Sequence, residues 1–321
     1  MAAKRRAMNK RSGTRRGAAR MVPKDEKDEL LGKNGHSRRR RRFFQGFMFL
    51  IFRIAAVING LALLVIIYFL VANGWRAINW TFLTQAPRES MTAGGILPCI
   101  VGTLSLALSA MIVALPIGIA SAVYLHEYAR PGRLLRTVRL GINNLAGVPS
   151  VIFGLFGLAF FVIWLKMGVS LLAGALTLGA LSLPVIIGAS EEALRTVPQT
   201  YREASLALGA TKWQTIYRVV LPAALPGILT GTILAISRAA GETAPIMFTA
   251  AVFFSPNLPT SIFSKVMALP YHIYVLATAG TEIEKTRHLQ YGTALVLIIL
   301  VLGMNLVAIL YRSRLRRRMH L

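Results

Sequence analysis

Six long apolar runs, at approximately 43–72, 96–125, 142–165, 171–190, 223–252 and 290–311, alternate with polar stretches that carry most of the charge. Each run reaches the ~20 residues a helix needs to cross the hydrocarbon of a bilayer. The pattern predicts an all-α polytopic membrane protein with six transmembrane helices. With 55% hydrophobic residues, a soluble core is excluded. The first run is too long for the apolar region of a cleavable signal peptide and has no convincing cleavage site, so it is expected to remain as the first span. Small residues recur through the third to fifth runs, and Gly227 and Gly231 stand four apart. Such spacing lets helix backbones approach closely where lipid gives no hydrophobic gain.

One polar island breaks the rhythm differently. Between the fourth and fifth runs, Thr200 to Pro222 reads as two short helices. Thr200 with Glu203 and Thr211 with Gln214 form two tandem capping boxes, each a hydroxyl followed three residues later by Glu or Gln. Gly209 falls where the first helix must turn left-handed to end, and Pro222 is expected to end the second. Tyr201, Ala204 and Leu208 lie at i, i+3 and i+7, so a small apolar face points away from the bilayer and implies a partner.

Charge then orients the chain. The net charge is +25, and residues 1–42 hold 16 of the 37 Lys and Arg. Those residues have almost no large apolar side chain and are expected to form a basic, disordered tail. The tail lacks aromatic stacking groups, which argues against nucleic acid, while attraction to anionic membrane lipid is expected. Counted on alternate sides of the six runs, Lys and Arg divide 29 against 6. Both termini, including the basic segment 312–321, and the Thr200–Pro222 loop are therefore expected on the cytoplasmic side. Between the second and third runs, Arg133, Arg136 and Arg139 alternate at helical spacing with Leu134, Leu135 and Val138, which predicts a helix lying along the membrane surface. The single Cys99 and the scattered histidines offer no metal site, and no glycine-rich phosphate cradle is present. No cofactor is expected in this chain.

The island resembles the EAA loop of ABC-importer permeases of the type I, MetI-like kind. The family pattern is kept as Glu203-Ala204-Ser205, Gly209, Val219 and Leu221-Pro222, with Ser205 and Val219 as conservative departures. The resemblance implies that Tyr201, Glu203, Ala204, Ser205, Leu208 and Gly209 belong to a coupling helix docking on a separate ATPase, which would bind ATP and Mg.

The fifth run carries Arg238, Gly241, Glu242, Thr243, Ala244 and Pro245. Arg238 and Glu242 stand four apart and can pair, Thr243 adds a hydroxyl, and Pro245 breaks the helix just beyond. An arginine near the centre of a bilayer is expensive and should face the bundle or a watered path. Its planar fork suits an oxyanion; the bland alternative is a buried structural pair. This segment resembles the PstA kind of phosphate-importer permease, as do Gly94-Gly95-Ile96, Glu127-Tyr128-Ala129 and Leu145 to Ser150. The resemblance covers about 90–311 and leaves out the tail and most of the first span. It implies a substrate path through Arg238, Glu242 and Thr243. The implied partners are a PstC-like permease, two PstB-like ATPase copies and a PstS-like extracytoplasmic phosphate-binding protein, in a bacterial inner membrane. Two other readings stay open: a permease for molybdate, sulfate or phosphonate, and a non-transporting membrane scaffold or sensor.

Overall fold

In the computed structural model, the backbone is described for residues 24–88, 91–279 and 283–319. It divides into two compact units, Met1–Ile66 and Ile67–Leu321. Helix α1, Lys24–Gly74, starts well before the expected first span. Of the expected disordered tail, residues 1–23 lie outside the described residues, whereas 24–42 are helical. The reason is cooperative: extending an existing helix needs no new nucleus, and nothing from Lys24 to Gly74 is a proline. From 44 to 66 the apolar side chains of α1 are exposed on every side.

In the second unit a short helix α2, Trp80–Thr84, is followed by a two-residue antiparallel ladder, β1 Pro87–Arg88 with β2 Ala93–Gly94. The chain is thus nearly all-α rather than wholly so. Helix α3, Leu97–Val123, continues through a wide π turn at Tyr124–Tyr128. Helix α4, Arg133–Ala146, is the expected amphipathic surface helix and buries none of its residues. Helix α5, Ser150–Gly157, runs on to Trp164 and is bent from α4 by 99°. The apolar run expected as one span from 142 is therefore broken after Ala146 and restarts at Ser150. Helix α4 ends at Ala146 with Gly147 in the cap position, and Pro149, at ψ 139°, precedes α5 and starts a new direction.

Helix α6, Leu171–Arg195, is capped by the Ser170 hydroxyl, which accepts from the Ala173 amide. Two loop helices follow, α7 Gln199–Ala207 and α8 Lys212–Thr215. After a π turn at Ile216–Val220, helix α9 covers Leu221–Gly241. Pro222 does not end a helix; it occupies the first turn of α9. The missing proline N–H and its crowded ring are accommodated by the wide turn just before it. Helix α9 stops at Gly241, and the run expected to continue to 252 resumes as the separate α10, Ala244–Thr249. Helices α11, Leu269–Thr278, and α12, Ile283–Met319, complete the chain. Among the described residues, five helices are long and apolar enough to cross a membrane, and the bent α4–α5 pair would make a sixth.

Three buried clusters hold the bundle together. The middle one joins Leu106 and Met111 of α3 to Leu178 and Leu181 of α6 and to Ala235 and Ala239 of α9. A second, at one end, gathers Phe82, Cys99, Leu269 and Leu276. The third lies at the loop end and contains Leu125, Leu194, Val220 and Ile228. Close approach is made by small residues. A Cβ on Gly227 would come 2.6 Å from the Cβ of Ala193, and one on Gly231 2.2 Å from that of Ala189. Neither contact leaves room for a side chain.

Candidate functional site

Two groups of residues carry chemistry, one at the loop end and one deep in the bundle. At the loop end, α7 begins at Gln199, with Pro198 in the cap position and no side-chain cap bond. The first expected capping box is therefore not formed. Pro198 already sets the extended φ/ψ that precedes a helix, and the Tyr201 amide bonds to its carbonyl at 3.2 Å, so Thr200 lies inside the first turn. The second box is present: the Thr211 hydroxyl accepts from the Gln214 backbone N–H at 3.3 Å, and the Gln214 side-chain Oε1 accepts from the Thr211 backbone N–H at 2.9 Å.

Gly209 has φ +83°, the left-handed conformation that closes α7. Tyr201, Glu203 and Ala204 are exposed, and Leu208 is 90% exposed. So exposed, Leu208 adds little to the apolar burial that folds this chain. Ser205 faces the other way, its hydroxyl 2.9 Å from that of Thr215. It ties α7 to α8 rather than joining the exposed face.

The residues that fasten this loop to the bundle are Glu127 and Arg202. They form an ion pair at 2.8 Å with side chains 9% and 11% exposed. Neither was singled out for a role by sequence spacing, because they stand 75 residues apart. The available signal was a lone acid at the end of an apolar run.

In the bundle, Arg238 Nε donates to Glu242 Oε1 at 3.1 Å. No other hydrogen bond from this guanidinium occurs among the described residues, so its remaining N–H donors are free to meet an oxyanion. The arginine side chain is 40% exposed and the glutamate 16%. Helices α6 and α9 run antiparallel, since Gly227 meets Ala193 and Gly231 meets Ala189. Continuing that register sets Arg238 level with about Ser182, midway along α6.

Just beyond Arg238 the backbone leaves the helix, with Glu242 at ψ 131°. Pro245, in the first turn of α10, cannot continue the earlier hydrogen-bond ladder. Non-helical backbone at mid-depth is tolerated only where protein or a watered cavity surrounds it. Gly154 of α5 backs the break, where an added Cβ would lie 2.9 Å from the Ala244 carbonyl. Ser237 bonds to Asn305, fixing this part of α9 to α12. Thr243 is half-buried, and its carbonyl accepts from the Met247 amide at 3.1 Å; its hydroxyl makes no hydrogen bond among the described residues. Elsewhere, Glu191 pairs with Arg139, and among the described residues no cluster of three or more metal-ligating side chains exists.

A bundle of long apolar helices, one of them broken at Glu242, with a two-helix loop at one end has a counterpart among known proteins. Residues 114–321 match the family described as "Binding-protein-dependent transport system inner membrane component". The chain is one of these permeases. It is 38% identical to the phosphate transport system permease protein PstA 1 of Mycobacterium tuberculosis, over 88% of this chain and 92% of that protein. It is 40% identical to PstA of Mycobacterium leprae, over 77% and 82%. Among solved structures, the MetNI methionine ABC transporter in an inward-facing conformation matches with a TM-score of 0.53 at 22% identity. That match covers 69% of this permease and 94% of the other chain, and it shows the shared fold.

Proposed function

We propose that this permease is one transmembrane half of an ATP-driven phosphate importer. The observation that carries the reading is the Arg238–Glu242 pair beside a helix broken at mid-depth, in a chain whose relatives are PstA proteins. Phosphate released from a PstS-like binding protein enters between this chain and a PstC-like permease. It meets the free edge of the Arg238 guanidinium, which offers paired, charge-assisted N–H donors. Glu242 holds the fork in place and competes for it, so the anion pauses without binding tightly. Thr243 contributes a hydroxyl beside the break.

The energy comes from two PstB-like ATPase copies, which hold ATP and Mg and seat the exposed face of Tyr201, Glu203, Ala204, Leu208 and Gly209. This chain hydrolyses nothing itself. The loop and both termini face the cytoplasm of a bacterium, across its inner membrane, an orientation that the 29 to 6 division of basic residues supports. Coupling follows when ATP and loaded binding protein both bias one two-state bundle.

Radiolabelled uptake in a strain lacking the gene tests the reading. Uptake of phosphate, competed by phosphate and not by sulfate, molybdate or phosphonate, is expected. Arg238→Gln should abolish uptake while the complex still assembles, and normal uptake by that variant refutes the role of Arg238. Uptake of a different oxyanion refutes the substrate.

A further inference from the structure

We propose that Glu127 is the positioning residue through which movement of the docking loop reaches the spans, with Arg202 and Lys212 as its two grips. This rests on the reading of the chain as an ATP-driven importer subunit.

The geometry concentrates on one turn. Glu127 lies in the π turn Tyr124–Tyr128 that ends the second span, and the extra residue of that turn alters the direction of the side chains that follow. Its Oε1 accepts from Arg202 Nε at 3.2 Å and Nη2 at 2.8 Å. The same guanidinium donates to the carbonyls of Val197 at 2.8 Å and Leu194 at 3.1 Å, at the end of α6. From the other side of the loop, Lys212 Nζ donates to the Glu127 carbonyl and sits 4.7 Å above the Tyr128 ring. Both loop helices are thus tied to the end of α3, and α7 also to the end of α6. Because α8 leads without interruption into α9, the grip of Lys212 extends to the span that bears Arg238.

Directed bonds here stand beside incomplete packing. A cavity of about 800 Å³ lies beside the latch, lined in part by His126, Glu127, Pro198, Leu206 and Thr215. Packing beneath α7 is incomplete there, and the bonds of Arg202 and Lys212 to Glu127 join the loop to α3 beside the cavity. A buried ion pair is poor evidence for stability, since an apolar replacement often serves as well. What it does supply is a fixed mutual geometry. The exposed face of Leu208 is separate from the latch, so the residues that meet the motor and the residues that transmit its movement can be changed independently.

The experiment uses the reconstituted full complex in proteoliposomes. Glu127→Gln keeps the shape of the side chain and removes its charge; Arg202→Lys keeps the charge and removes the fork. Both variants are expected to retain the ATPase subunits, while phosphate moved per ATP falls by about tenfold, within the range of coupling between sites. With Arg202→Gln measured as well, the loss in the double variant Glu127→Gln/Arg202→Gln should be smaller than the sum of the two single losses, because the changes share the Glu127–Arg202 interaction, while the bonds of Arg202 to Val197 and Leu194 go only with the arginine.

Hydrogen exchange on the vanadate-trapped complex gives a readout independent of substrate. In the parent, trapping should change protection at both Gln199–Ala207 and Tyr124–Tyr128; in Glu127→Gln, only at Gln199–Ala207. An unchanged ratio of phosphate to ATP, additive losses in the double variant, or parent-like exchange overturns the proposal. So does loss of the ATPase from Glu127→Gln, which would make the residue part of docking. If the parent complex moves no phosphate, the importer reading fails, and the exchange pattern still decides the latch.

Discussion

Replacing Gly231 by alanine tests whether the bundle depends on direct helix contact. An added Cβ would lie 2.2 Å from the Cβ of Ala189, whereas carbon atoms rest at ~3.5–4.0 Å, so α6 and α9 must part by roughly 1.5 Å. A gap of ~0.5–1 Å already forfeits a quarter to a half of the attraction between facing atoms. The seam also holds Gly227 against Ala193, so separation costs more than one contact. Overpacking of this kind costs ~1–3 kcal/mol. A central value of about 2 kcal/mol lowers the folded-to-unfolded ratio by roughly 30-fold, the top of the ~5–30 range. The assay is denaturant unfolding of the purified complex in detergent. Gly231→Ala should unfold at lower denaturant, and adding Ala189→Gly, which removes the opposing methyl, should restore at least ~1 kcal/mol, a normal coupling for residues in contact. Gly231→Ala as stable as the parent, or no relief from Ala189→Gly, would show that the two helices do not meet as described.

Two further perturbations address the loop. Leu208→Asp removes an exposed side chain worth ~1.5–3 kcal/mol if a partner buries it. The unfolding midpoint should not move, while the ATPase subunits should be recovered in at least tenfold lower yield on co-purification. Unchanged recovery would remove Leu208 from the docking face. Thr211→Ala deletes a cap worth ~0.5–2 kcal/mol. Faster amide exchange at Lys212–Thr215 is expected, with Thr211→Ser restoring protection; equal exchange in the alanine variant would mean the cap contributes nothing.

Much of this molecule is local in origin. Runs of apolar residues longer than a bilayer is thick specify spans whatever surrounds them, because an unpaired backbone in lipid is too costly to allow another choice. The surface helix at Arg133–Ala146, the left-handed stop at Gly209 and the Thr211–Gln214 box each depend on residues within one or two turns, so their spacing in the chain was enough. The Arg238–Glu242 pair was legible for the same reason, being four residues apart. Local rules also failed where two of them competed. Thr200 lost its cap to Pro198, and Pro222 began a helix instead of ending one because a π turn took up the missing hydrogen bond.

Tertiary structure decided the rest. It set Arg238 at mid-depth through the register of Gly231 on Ala189, and it turned a continuous apolar run into a broken helix at Glu242. It also joined Glu127 to Arg202 across 75 residues. No periodicity records such a meeting, since it depends on how whole helices cross, and that is fixed only when their small residues come into contact.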